Sequence, residues 1–132
     1  MVIEEWHNFV KTKNINILDR ILSDEVVFYS PAVHTPQVGK QITKKYLLTA
    51  AEVLFKENFK YVSEVKGNEI AICEFECNID EIYINGIDII IWNGSNQITS
   101  FKVMVRPLKG LMILKEKMAN ILVRTKYQGV KC

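Results

Sequence analysis

The sequence lacks any long run of like charge, and its formal net charge is only +2. That removes the electrostatic footprint expected of a nucleic-acid or anionic-membrane binder. Lys44-Lys45 and Lys115-Glu116-Lys117 read as solvated helix faces. No stretch approaches the roughly 18 apolar residues that cross a bilayer. The opening segment MVIEEWHNFVKTK carries early acids instead of the basic-then-apolar layout of a secretory leader. The expected location is the cytoplasm. Cysteine is scarce, at three residues. Cys73 and Cys77 are four apart in a strand-like segment, so their Cα atoms lie about 13 Å apart, beyond disulfide reach. They fall on one face and read as small core residues, while Cys132 ends the chain. No CxxC or Cys/His spacing points to zinc, so neither a metal nor a cofactor is expected. Repeats and low-complexity segments are missing as well.

What is present is ordinary globular material: 132 residues, 48% hydrophobic and 24% charged. That length and mix suit one domain over 1–132. Ile3, Trp6, His7 and Val10 share one face of a helix over Met1–Lys11. Asn14 is a candidate N-cap for a second helix with Ile15, Leu18, Ile21 and Leu22 inside, ending at Ser23-Asp24. EVVFYS, from Glu25 to Ser30, is a strand that Pro31 stops. A loop follows, and Gly39 or a neighbour turns the chain into a third, broadly apolar helix over 40–57. From Phe59 the period becomes two. Turns at Gly67-Asn68, Asp80-Glu81 and Asn93–Asn96 separate four strands of an antiparallel meander. A last helix runs from Pro107 or Leu108 to about Val123, with Leu111, Leu114, Met118, Ile121 and Leu122 on one face. Residues 124–132 form a polar tail expected to fray. Helices first and strands later make the chain α+β: helices packed on a curved antiparallel sheet, closed by a C-terminal helix.

Residues 86–107 draw the most attention. In GIDIIIW, Gly86, Asp88, Ile90 and Trp92 share one face, and Ile87, Ile89 and Ile91 the other. A sheet with one wet face should alternate apolar and polar, so this strand is covered twice. The N-terminal helices cover one face. Either the C-terminal helix or a second subunit covers the other, and a two-fold homodimer through the outer sheet face is the more natural closure. Asp88, flanked by isoleucines, loses solvation in its charged form, and its pKa should rise.

Three segments resemble one family: LSDEVVFYSP with its loop and Gly39, then NGIDIIIWNGSNQITSF, then VMVRPLKGL. With the order of elements, they make the chain similar to the NTF2-like (cystatin-like) superfamily of α+β cones. That superfamily includes ketosteroid isomerases and SnoaL-like cyclases. The resemblance spans most of the chain and implies a pocket between the helices and the concave sheet face. It implies that Asp88 occupies the position of an acid that, held protonated, donates a hydrogen bond to a substrate oxyanion. At the isomerase general-base position, immediately before the proline that ends the first strand, stands Ser30. A serine without a paired base cannot abstract a proton at neutral pH. Trp6 occupies the place of the family's tyrosine on the first helix, and its indole donates without usefully exchanging its proton. The acid of the cyclases near the end of the last strand is replaced in VMVRPL by Arg106.

The resulting expectation is a binder of a small hydrophobic molecule, or an enzyme of isomerase, cyclase or hydrolase type, that differs from a standard ketosteroid isomerase. Asp88 and His34 are its candidate acid/base groups. Trp6, Phe28, Ser30, Tyr46, Phe75, Phe101 and Val103 are its candidate pocket lining. The competing reading is a non-catalytic dimeric binding or assembly module. In it, Asp88 is a structural acid hydrogen-bonded to a turn or a tyrosine, His34 is an exposed loop residue and the aromatics are core. A third reading, an adaptor for nucleocytoplasmic transport, has no support in the surface residues. Arg106 is expected in an ion pair with an acid across the dimer or at a strand end. The volume of the cavity beside Asp88 separates the first two readings, since a ligand pocket needs roughly 300 Å³ or more.

Overall fold

A computed structural model describes residues 1–56 and 58–130, with side chains described to Val123. Helix α1 (Val2–Thr12) buries Val2, Ile3, Trp6 and Phe9 and ends at a left-handed Lys13. Asn14 caps α2 (Ile15–Ile21), its side chain accepting the Asn16 amide at 3.0 Å. That carboxamide satisfies one of the amides left free at a helix start. Strand β1 (Leu22–Tyr29) begins three residues earlier than its composition suggests. Leu22 already pairs with Ile98, and the polar Ser23 and Asp24 sit in a register shift between Leu22 and Val27. A polar pair that reads as a stop is absorbed as a bulge.

After the loop, β2 (Gln37–Val38) returns antiparallel to β1, a pairing too short to leave a sequence pattern. Gly39 at φ 110 then enters α3 (Lys40–Leu54), its amide bonding Val26 O at 2.7 Å. A side chain at that φ would be strained, which explains glycine there. The meander consists of β3 (Lys60–Gly67), β4 (Ile70–Ile79), β5 (Ile82–Trp92) and β6 (Ile98–Arg106). The β4–β5 turn carries Asp80 and Glu81 at φ 49 and 67, the two positive values a tight primed hairpin needs.

The sheet order is β2-β1-β6-β5-β4-β3. Every pair is antiparallel except β1–β6, which is parallel and makes the sheet mixed. Helix α4 (Leu108–Val130) continues past the expected end at Val123; Lys131 and Cys132 lie outside the described residues. Cys73 and Cys77 are buried free thiols. Among the described residues, no helix is long and apolar enough to cross a membrane.

The sheet curves around Trp6, Phe9, Phe28, Phe75, Phe101 and Ile90, all buried. In β5, Ile84, Gly86, Asp88, Ile90 and Trp92 are buried, whereas the alternate row from Tyr83 to Ile91 is partly or largely exposed. The C-terminal helix does not cover that outer row. It closes the concave side, where Leu114 is buried among the inner-face side chains. Two glycines permit close packing. A Cβ at Gly110 would lie 2.8 Å from Tyr83 O, so α4 approaches β5 backbone to backbone. A Cβ at Gly86 would lie 2.4 Å from Phe75 Cζ and 2.7 Å from Met104 O. Gly86→Ala should therefore cost about 1–3 kcal/mol through overpacking, read as a lower midpoint in urea unfolding. An unchanged midpoint would contradict this tight approach.

Candidate functional site

The acid of β5 lies at the end of a chain of three side chains. Asp88 is 5% exposed. Its Oδ2 accepts a hydrogen bond from the Tyr61 hydroxyl at 2.5 Å. That hydroxyl in turn accepts from Trp6 Nε1 at 2.9 Å. Three elements meet here: α1 supplies the indole, β3 the phenol and β5 the carboxyl. Burial raises the Asp88 pKa, the Tyr61 hydrogen bond lowers it, and the result is about 7. Desolvation wins because the aromatic and aliphatic wall around the carboxyl leaves Tyr61 as its one hydrogen-bond donor among the described residues. The same burial, with Asp88 beside it, holds the Tyr61 phenol well above its ordinary range. Near neutral pH, Asp88 is thus divided between a carboxylate and a carboxylic acid able to donate.

Tyr61 was not among the residues singled out in the sequence. Simple alternation puts Tyr61, Ser63 and Val65 on one face of β3. The register shifts between Tyr61 and Ser63. Tyr61 keeps to the inside, opposite Phe75, while Ser63 and Val65 turn outward and Glu64 turns in toward Cys73. A bulge inverts the face of everything beyond it. Asp88's need for a buried partner was the available signal, and the structural reading of Asp88 already allowed a tyrosine in that role.

The cavity beside Asp88 measures about 30 Å³. Its lining includes Trp6, Phe28, Phe75, Phe101 and Val103, together with Leu114 and Met118 from α4. A space of this size holds about one water. Five of the seven residues expected around a pocket therefore converge with Asp88 on one cavity, which Leu114 and Met118 of α4 help to line. Tyr46 stands outside the lining and packs on Phe28, with ring centroids 5.3 Å apart. The neighbouring face of α3 lines the cavity instead, through Leu47, Ala50 and Leu54. One residue is about 100° around a helix, enough to turn Tyr46 aside.

Ser30 and His34 are also absent from the lining. Ser30 lies beyond the end of β1, where its Oγ accepts the Ala32 amide at 3.2 Å. His34 is exposed. Both line an open groove of about 550 Å³ outside the cavity, with Pro31 and Val103 shared between the two spaces. The structure therefore does not bring His34 to Asp88. Within the protomer Arg106 donates to Asn85 Oδ1 at 3.4 Å.

The Asp88 pKa has a consequence for stability. In an unfolded chain the carboxyl ionises near 3.8, and in the folded chain near 7. Between those values the folded state holds more protons, so this group's stabilising contribution falls as pH rises and levels off above 7. The full loss is roughly 4 kcal/mol at 1.36 kcal/mol per pH unit. Asp88→Asn should therefore gain on the wild type by roughly 3 kcal/mol between about pH 4.5 and about pH 8 in urea unfolding. Parallel curves for the two proteins would contradict the shift.

No family model and no curated protein matches the sequence. Solved structures do. A steroid delta-isomerase from Pseudomonas aeruginosa is 30% identical, with a TM-score of 0.89 over 96% of this chain and 92% of that one. A protein with a cystatin-like fold from Silicibacter pomeroyi is 25% identical, with a TM-score of 0.86 over 98% of this chain and 90% of that one. A ketosteroid-isomerase-like protein from Catenulispora acidiphila, solved with trimethylamine, is 11% identical with a TM-score of 0.62 over 86% and 90% of the two chains. At that identity it speaks to the fold alone. The α+β cone, the inward-facing acid and the match along nearly the whole length of a 30% identical relative agree, and the chain belongs to the NTF2-like superfamily, among its ketosteroid-isomerase-like, cystatin-like members.

Proposed function

We propose that this protein binds a small, mainly apolar molecule carrying one oxygen acceptor, and that Asp88 in its protonated form donates to that oxygen. The observation that carries this reading is an acid 5% exposed, with a pKa of about 7, at the wall of an otherwise apolar cavity. Burying a carboxyl costs several kcal/mol of solvation unless it is neutral or well paired. A neutral acid facing an apolar space suits a ketone or lactone oxygen. The likeness to a steroid delta-isomerase supports a carbonyl compound as the ligand class. It does not carry the isomerase reaction over. The base position is Ser30, whose Oγ is engaged with the Ala32 amide and faces another groove. Without a base beside the substrate carbon, proton abstraction has no acceptor.

A ligand larger than water requires Leu114 and Met118 to withdraw, because together with the aromatics they leave about 30 Å³. That same small volume favours a second reading, a non-catalytic module in which Asp88 and Tyr61 are structural. A thermal-shift series with cyclic ketones and lactones separates the two. The ligand reading expects selective stabilisation of the wild type, weakened tenfold or more in apparent affinity by Asp88→Asn. It also expects Leu114→Ala, which costs about 2–5 kcal/mol of stability, to bind such compounds more tightly by enlarging the cavity. If no compound stabilises either protein, the second reading stands.

The assembly reading is a two-fold homodimer through the outer sheet face. Ile87, Ile89 and Ile91 on β5 lie opposite Glu74, Ile72 and Ile70 on β4, and opposite Met104, Lys102 and Ser100 on β6. Val65, Ile72, Ile91 and Met104 on that face are exposed. A contiguous apolar row edged by charge is the kind of patch a second copy covers. Sedimentation equilibrium at micromolar concentration should give twice the 15.3 kDa chain mass, and Ile89→Asp should return it to one. A wild-type monomer would sink the dimer.

A further inference from the structure

Beside the Tyr61–Asp88 pair, with Cys73 in register opposite Asp88 and His7 packed on Tyr61, three side chains of different chemistry converge from distant parts of the chain. His7 comes from α1, Glu64 from β3 and Cys73 from β4. His7 Nε2 lies 2.5 Å from Glu64 Oε1. Cys73 Sγ lies 3.2 Å from the same oxygen. All three ligand atoms fall within 4.8 Å of one another. No sequence spacing announces the group, because the bulge that follows Tyr61 is what swings Glu64 to the inside.

We infer that His7, Glu64 and Cys73 form a binding site for a zinc-class divalent cation. The donor set is one imidazole nitrogen, one carboxylate oxygen and one sulfur. Nitrogen and sulfur together select zinc over magnesium or calcium, which take oxygen. Zinc bonds of about 2.0–2.3 Å in a tetrahedron put ligand atoms about 3.3–3.6 Å apart. The Cys73–Glu64 separation is already close to that range. The His7–Glu64 pair would have to open by about 1 Å, and the His7 and Glu64 side chains are 30% and 26% exposed, so each has room to rotate. Their exposure also gives an ion a way in from solvent, whereas the sulfur is buried and pre-positioned beneath them. Three protein ligands leave the fourth position open to water or to a ligand atom, the pattern of exchangeable rather than structural sites. On binding, the Cys73 thiol loses its proton to solvent and the thiolate bonds the ion.

Cobalt(II) is the probe, because a thiolate ligand gives it a charge-transfer band in the near ultraviolet. Titrating the full-length protein with cobalt should give that band at one ion per chain, and zinc should displace it. Cys73→Ser should abolish the band. His7→Gln, at a half-exposed position that leaves the core intact, should weaken the affinity tenfold or more. Cys77→Ser, Cys132→Ser and His34→Gln should leave the titration unchanged. No band at equimolar ion, or a band that survives His7→Gln undiminished, overturns the site. So does a band removed by Cys77→Ser or Cys132→Ser. The site does not depend on the cavity ligand, and its failure leaves the role of Asp88 untouched.

Discussion

A carboxyl buried in an apolar sheet has to be neutralised, paired or solvated, and Asp88 is held by one hydrogen bond from Tyr61 and by its own proton. Much of the architecture follows from meeting that constraint. Trp6 donates to Tyr61 and fixes the phenol. The aromatic wall of Phe28, Phe75 and Phe101 excludes water and so keeps the acid near its neutral form. Gly86 is bare because Phe75 lies against it, one pleat along from Asp88 on the same face. Packing, curvature and electrostatics thus meet at one oxygen atom.

The bulge in β3 organises both candidate sites. Before it, Tyr61 points inward to Asp88; after it, Glu64 points inward to His7 and Cys73. An unbroken strand would present Ser63 and Val65 to the interior and leave Glu64 in solvent. One extra residue therefore places a donor beside the buried acid and a carboxylate beside a thiol and an imidazole. His7 and Tyr61 touch edge to face, with ring centroids 5.2 Å apart, so the two groups share a wall.

Much of the fold was legible because it rests on local periodicity. The alternation in GIDIIIW separates a buried row from an outer row, and β5 follows it residue by residue. The lone acid among isoleucines marked the site before any partner was visible. What escaped was non-local. The two-residue β2 and the parallel β1–β6 pair depend on which strands meet. The Tyr61 partnership depends on a register shift. The apolar stripe of α4 was plain, but not that Leu114 and Met118 would enter the cone and leave about 30 Å³ beside the acid. His34 was a candidate base by type and equally an exposed loop residue, and it is exposed in a groove apart from the cavity.

The family likeness and the cavity pull in opposite directions, and Asp88 is where they can be reconciled. A close relative in fold is a steroid delta-isomerase, whereas the space beside Asp88 here is small. On the proposed reading a protonated acid at that wall donates to a ligand oxygen, which an ionised one cannot do. The most direct measurement is therefore the titration of Asp88 itself, followed by the carboxyl carbon resonance in NMR. The account predicts a midpoint near 7. A midpoint near the ordinary 3.8 would mean that the acid is solvated and charged, and would contradict it.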